Sequence, residues 1–330
     1  MKQLPKIELH LHLDCSLSYE VVAKLAPEVS REEYDHEYVA PERCTNLADF
    51  LTRAPKGFRL MQTRESLDLV TQDIFRQLAE DGAIYAELRF APLLHMLEGL
   101  TAAQAVEAID RATERLIGET GVEARLILCT LRHFTAEQSM ETARLVESFR
   151  GSRVTALDLA GDEAGYPIAV HTEAYRYARE HGLARTAHAG EACGPESVWE
   201  TLRLLQPLRI GHGTRSYEDP ALVEFLRREG VHLELCPSSN VQIIPSIESW
   251  AQHPIDRLYH AGVRLNANTD TRMLTRTTLT HEYEMLHSVF GWGSAEFLQT
   301  NEMALDAAFV EEAVRARLRQ RLADGYAAAQ

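Results

Sequence analysis

Positive charge is the scarcer kind in this chain. Its 330 residues carry 34 Lys and Arg against 49 Asp and Glu, a formal net charge of -15, and the pI is about 5.4. A polyanion is repelled over most of such a surface, so nucleic acid is not an expected partner. An anionic membrane is disfavoured for the same reason. Long apolar runs are missing too; none approaches the roughly 20 residues that span a bilayer. The first strand-like segment begins within a few residues, without the basic region and apolar stretch of a signal peptide. Cysteine is sparse. Cys15, Cys44, Cys129, Cys193 and Cys236 form an odd set without C-x-x-C, which fits a reducing cytoplasm and argues against a disulfide framework. There is no internal repeat, low-complexity tract or Pro/Gly-rich linker, so residues 1–330 read as a single domain.

What is present starts with Ile7-Glu8-Leu9-His10-Leu11-His12-Leu13-Asp14. Apolar and polar residues alternate strictly, so it reads as a strand with His10 and His12 side by side on one face and Asp14 one step further. Two adjacent imidazoles make half of a metal site; the plain alternative is a solvated strand face. A mostly helical stretch runs to about residue 80, with an acidic, irregular piece around Ser30 to Asn46. Strands are then expected at 83–89, 124–130, 155–159, 184–189, 208–211, 232–236 and 263–266, and amphipathic helices at 101–118, 136–149, 172–181, 196–205 and 220–229. Gly182 and Gly230 fall where C-terminal glycines belong, and Asp219-Pro220 reads as an N-cap followed by proline. Eight β-then-α units predict an α/β fold, a closed (β/α)8 TIM barrel with extra helices after the first strand and at the C-terminus. The alternative is a doubly wound open sheet, but no G-x-G-x-x-G follows a strand. The tail from Ser294 is expected to be helical, with Arg315, Arg317, Arg319 and Arg321 on a solvated face.

In such barrels the active site lies at the C-terminal ends of the strands. Here those ends carry His10, His12 and Asp14; Asp162 and Glu163; His188 and Glu191; His212; and Asp270. Histidines and carboxylates gathered at the same end of different strands point to a metal site. His10, His12, His188 and Asp270 make a plausible zinc set. Glu191 and His212 remain at adjacent strand ends, and a hydrolytic zinc site needs groups to activate water and to protonate the substrate. The other ten histidines show no such grouping and read as structural or exposed.

At this point the chain resembles the adenosine deaminase family of the amidohydrolase superfamily. The likeness is carried by Leu4–Asp14, Leu157-Asp158-Leu159-Ala160-Gly161-Asp162-Glu163, His188-Ala189-Gly190-Glu191, Arg209-Ile210-Gly211-His212-Gly213, Cys236-Pro237-Ser238-Ser239-Asn240 and Asn268-Thr269-Asp270, six motifs in family order. The resemblance implies hydrolytic deamination of adenosine and 2′-deoxyadenosine to inosine and ammonia by a zinc-activated water that attacks C6. It implies one zinc per chain, held by His10, His12, His188 and Asp270. Glu191 would protonate ring N1, and His212 would position the water and help take its proton. The implied substrate-contacting set is His12, Asp14, Gly161 and Thr271, with Asp14 receiving the ribose 5′-hydroxyl and the Gly161 N–H meeting purine N3.

Two positions depart from the family pattern. Thr271 stands where a second aspartate usually contacts purine N7, and Cys15 stands where a glycine usually follows the first-strand aspartate. Leu47–Ala54 resembles a gate helix over the pocket, with Ala54 at a position where a bulkier apolar residue is common; an ordinary amphipathic helix is the alternative. The other zinc deaminase design needs P-C-x-x-C, which does not occur. No lysine lies between Val154 and Glu163, which favours one metal over two. Another 6-aminopurine, either free adenine or a 5′- or N6-modified nucleoside, is the alternative substrate, and a non-catalytic purine-binding protein is the alternative class.

Overall fold

Parallel strands need long crossovers, and this chain supplies them as helices. The computed structural model describes residues 1–329. Eight strands follow one another in a single parallel order: β1 (Lys6–His12), β2 (Ala83–Phe90), β3 (Glu123–Leu131), β4 (Val154–Ala160), β5 (Ala184–Ala189), β6 (Arg209–His212), β7 (His232–Leu235) and β8 (Leu265–Ala267). The fold is the expected (β/α)8 barrel, and its strand ends differ from the expected ones by a residue or two. Helices Tyr19–Leu25, Arg31–Glu37, Leu47–Leu51, Ala54–Phe58 and Arg64–Glu80 lie between β1 and β2, and Leu279–Phe290, Ser294–Ala307 and Glu312–Ala328 follow β8.

β8 has only three residues, too few to pair with β1 along its length. Side chains close that seam instead. Asn268 Oδ1 accepts the Leu9 N–H at 2.8 Å, Asn301 Oδ1 accepts the Ile7 N–H at 2.7 Å, and Asn266 Nδ2 donates to the Ile7 carbonyl at 3.3 Å. At the top, the Asp270 N–H donates to the His10 carbonyl at 2.9 Å, and the Asp270 carbonyl accepts the His12 N–H at 2.7 Å. Buried backbone groups must be satisfied somewhere, and asparagine amides do it where the ladder runs out.

Three expectations need correction. β1 does not alternate strictly: its pairing with β2 steps from Glu8↔Ala86 to Leu11↔Leu88, three residues against two. Glu8, before this irregularity, bonds Thr269 and Arg272, while His10, within it, reaches Glu234. The Ser30–Asn46 stretch is not wholly irregular. The Ser30 hydroxyl caps the Glu33 N–H at 3.1 Å, and Glu32 and Glu33 favour the positive end of helix Arg31–Glu37. Arg315 is not on a solvated face. Its guanidinium bonds the carbonyls of Leu305, Asp306, Ala308 and Val310 and closes the C-terminal end of helix Ser294–Ala307. Arg317 and Arg319 are exposed, as expected.

The barrel interior also carries charge. Arg89 donates to Asp158 at 3.0 Å and to Glu234 at 2.7 Å. Arg209 donates to Glu234 at 2.7 Å and pairs with Glu87. All five side chains are fully buried. Removing one partner from such a network leaves an uncompensated buried charge, at a cost of about 3–5 kcal/mol.

Candidate active site

The site is built on this charged layer, at the C-terminal mouth. His10 and His12 come from the end of β1, His188 from β5, His212 from β6, and Asp270 from the segment after β8. His212 and Asp270 have φ of 59° and 63°. Left-handed backbone is rare for residues with a side chain and is held here by the surrounding fold.

His10 Nδ1 donates to Glu234 at 2.9 Å, and His188 Nδ1 donates to Asp158 at 3.2 Å. Those bonds leave the Nε2 lone pairs facing inward. His12 Nε2 and His188 Nε2 lie 3.1 Å apart. Asp270 Oδ1 lies 3.4 Å from His10 Nε2 and 3.5 Å from His12 Nε2. A tetrahedron of ligands about 2.0–2.1 Å from zinc has edges of about 3.3 Å. His10 Nε2 is buried with no hydrogen-bond partner. An orphaned nitrogen and facing imidazoles at ligand-edge distances fit a metal ion, and His10, His12, His188 and Asp270 form a group able to hold one. Burial keeps His12 and His188 towards the neutral form, the form that can coordinate. Burial works against ionising Asp270, but His10, His212 and His12 hold its carboxyl well below the usual range. Its Oδ2 accepts from the Ser239 hydroxyl at 2.7 Å.

Glu191 and His212 flank this group, with Glu191 Oε1 3.5 Å from His212 Nε2. Burial, reinforced by the nearby charges of Asp270 and Glu163, pushes the Glu191 carboxyl well above its usual range, which favours the protonated form of a proton donor. A chain of hydrogen bonds orients His212. The Ile255 N–H donates to His253 Nδ1 at 3.2 Å; His253 Nε2 and the Thr214 hydroxyl donate to Asn240 Oδ1 at 3.2 and 2.7 Å; Asn240 Nδ2 donates to His212 Nδ1 at 3.1 Å. Neutral His212 therefore carries its proton on Nε2 and faces the site as a donor.

A recess of about 50 Å³ reaches His12, His188, Glu191, His212, Asp270 and Thr271. It shares Cys15 and Gly161 with a cavity of about 410 Å³ that opens past Asp14, within the usual range for a small-molecule site. Asp14 is not a further step of the strand. β1 ends at His12, and Leu13–Cys15 forms a single 3₁₀ turn. The Asp14 carboxylate accepts the Ala91 N–H at 3.2 Å, and burial raises its pKa to about 6. Gly161 has φ of +99°, a conformation a side chain would strain. Thr271 Oγ1 lies 3.0 Å from Thr275 Oγ1. The expected Leu47–Ala54 helix is two helices, Leu47–Leu51 and Ala54–Phe58; Ala48, Leu51 and Ala54 all line the cavity. His133, read from the sequence as structural or exposed, also lies on its wall.

The supporting residues Arg89, Asp158, Glu234, Glu163 and Asn240 were given no role from sequence. A signal existed for three of them. Buried parallel strands read as near-continuous apolar runs, so the charges in Glu87-Leu88-Arg89, Leu157-Asp158-Leu159 and Leu233-Glu234-Leu235 demanded partners inside the barrel.

The family model described as adenosine deaminase matches residues 5–325. An adenosine deaminase of Lacticaseibacillus paracasei is 34% identical over 99% of this chain and 98% of that protein. Among solved structures, adenine deaminase from Arthrobacter aurescens superposes with a TM-score of 0.89 at 26% identity, over 97% of this chain and 98% of that one. An amidohydrolase from Burkholderia ambifaria with bound zinc gives 0.89 at 25%, over 99% and 93%. Arabidopsis N6-mAMP deaminase gives 0.88 at 25%, over 98% of each chain.

Proposed function

We infer the reaction from the premise that this chain belongs to the adenosine deaminase family. It is an aminohydrolase acting on the amino group of a purine. The substrate proposed is adenosine, with 2′-deoxyadenosine following, and the products are inosine and ammonia. The observation that carries this reading is the buried Glu191 carboxyl set beside His212 at a recess whose floor is a candidate metal-ligand group.

Each residue then has a role. His10, His12, His188 and Asp270 would hold one zinc. The chemistry such an ion would supply is a bound water with its pKa lowered from 15.7 towards about 7, a nucleophile at neutral pH. Glu191 gives its proton to ring N1, which drains electron density from C6 and prepares it for attack. His212 orients the water by donation from Nε2; the proton-taking share implied by the family resemblance is the lesser part of its role in this tautomer. Thr271 offers a hydroxyl towards N7, the Gly161 N–H addresses N3, and His12 and Asp14 bound the ribose side. The apolar wall excludes bulk water, which strengthens each of these interactions.

Free adenine is the second reading, favoured by the likeness to the Arthrobacter adenine deaminase and by Cys15 on the cavity wall. Metal-quantified enzyme incubated with adenosine, 2′-deoxyadenosine, adenine and N6-methyladenosine decides. Ammonia from adenosine at the highest kcat/KM is expected. Ammonia from adenine alone removes adenosine, and release of neither ammonia nor, from N6-methyladenosine, methylamine, with zinc bound, leaves a binding protein.

A further inference from the structure

Glu191 stands in a turn rather than on a strand. β5 ends at Ala189, Gly190 takes φ of +71°, and the next helix, Pro195–Leu204, starts at Pro195. Among the described residues no hydrogen bond holds the Glu191 carboxyl, which lies 3.5 Å from His212 Nε2. The aim of this side chain is therefore set by its backbone.

That backbone is gathered by a carboxylate from the end of β4. Glu163 Oε1 accepts the Gly190 N–H at 2.7 Å and the Ser197 hydroxyl at 2.5 Å. Its Oε2 accepts the N–H groups of Glu191 at 3.0 Å, Ala192 at 2.6 Å and Cys193 at 2.8 Å. Four successive amides and a hydroxyl converge on one carboxyl group that is 5% exposed. Arg215 holds the opposite side of the turn: its N–H donates to the Gly190 carbonyl at 2.9 Å, and Nη1 donates to the Ala192 carbonyl at 3.1 Å. Consecutive amides of this kind make an anion-binding concavity, and charge-assisted bonds to it are roughly twice as strong as neutral ones. Only glycine fits the start of this turn, because a Cβ at Gly190 would come within 2.6 Å of Val198.

We propose that Glu163 is a positioning residue for the proton donor: its carboxylate fixes the turn from which Glu191 addresses purine N1. The proposal rests on the role given to Glu191 above. It assigns a function to the second acid of the Gly161-Asp162-Glu163 segment, which touches neither the metal ligands nor the recess floor. It also explains why Glu191 stays on target without a side-chain partner of its own.

Glu163→Gln tests it. The amide replaces two acceptor oxygens with one and turns an NH2 group towards N–H donors. The expected result is a fall in kcat on adenosine of at least about 30-fold, with KM within about threefold and full zinc content. Binding of 1-deazaadenosine, which has C–H in place of ring N1, should stay unchanged, because it makes no use of the Glu191 proton. A kcat within threefold of the unaltered enzyme overturns the proposal. So does a loss of zinc or of 1-deazaadenosine binding that accompanies the loss of kcat, since diffuse damage would produce it. If Glu163→Gln does not fold, Ser197→Ala removes one donor from the same carboxylate: a fall of about 3- to 10-fold in kcat at unchanged KM supports the proposal, and an unchanged kcat overturns it. Failure of the unaltered protein to deaminate any 6-aminopurine would instead remove the deaminase reading before any variant is compared.

Discussion

Glu234 holds His10 by its outer nitrogen: Oε2 lies 2.9 Å from Nδ1, and the inner nitrogen is left free for metal. Asp158 does the same for His188 at 3.2 Å, and Arg89 ties the two carboxylates together. Groups that orient metal-bound histidines typically matter by 10–100-fold in affinity. Asp158→Asn should therefore weaken zinc binding by about 10- to 100-fold in competition with a chelator. Unchanged affinity would show that the orientation of His188 is set elsewhere.

Glu191→Gln keeps the size of the side chain and removes its proton. Zinc content should stay at the level of the unaltered chain, while kcat falls by about 10²–10⁴-fold. Near-normal turnover would mean that another group protonates the purine. His188→Ala takes away a ligand, and the protein should lose its zinc on dialysis; stoichiometric zinc after dialysis would break the assigned ligand set.

No Lys or Arg lines the cavity or the recess among the described residues, whereas Asp14 and Asp162 do line the cavity. A 5′-phosphate would bring two negative charges beside carboxylates with no cation to meet them. Adenosine monophosphate should accordingly be deaminated with kcat/KM about 100-fold or more below that of adenosine, roughly 2.7 kcal/mol of discrimination. Comparable rates on the two would show a phosphate site that this geometry does not provide. The contrast matters because the similar Arabidopsis enzyme is a deaminase of a nucleotide.

Glu282 is fully buried and meets the Thr277 hydroxyl at 2.6 Å and the Ser238 N–H at 3.1 Å. Burial raises its pKa from 4.5 to about 7. Between those values the folded chain holds a proton that the unfolded chain has lost. The stability this group contributes is complete below pH 4.5 and is lost as pH rises through about 7, on the order of 3 kcal/mol in all. Glu282→Gln cannot ionise, so its Tm should rise relative to the unaltered protein between pH 5 and pH 8. A difference in Tm that stays constant over that range argues against a buried neutral carboxyl.

The barrel was legible in the sequence because its signals are local. Apolar strands, amphipathic helices, and caps such as Asp219 and Gly230 each sit within a few residues, and the αL conformation of Gly230 is realised as expected. The metal-ligand group was legible for a related reason. His10, His12 and His188 lie at the ends of strands and Asp270 just past one, and one architectural rule sends all strand ends to the same mouth. Arg315 shows where local reading stops: its four carbonyl partners lie on the preceding helix and turn, and nothing in an Arg-rich periodic run distinguishes it from exposed Arg317.

By itself, then, the order of residues determined the number of strands, their parallel sense and the set of side chains at their ends, since those depend on spacing along the chain. Only the closed structure decided which nitrogen of His10 and His188 faces inward, which way His212 carries its proton, and what holds Glu191 in place. Each of those depends on a partner dozens to hundreds of residues away, among them Glu234, Asp158, Asn240 and Glu163. Such partners become neighbours only when the barrel shuts, and in its dry interior every buried donor and charge must find one.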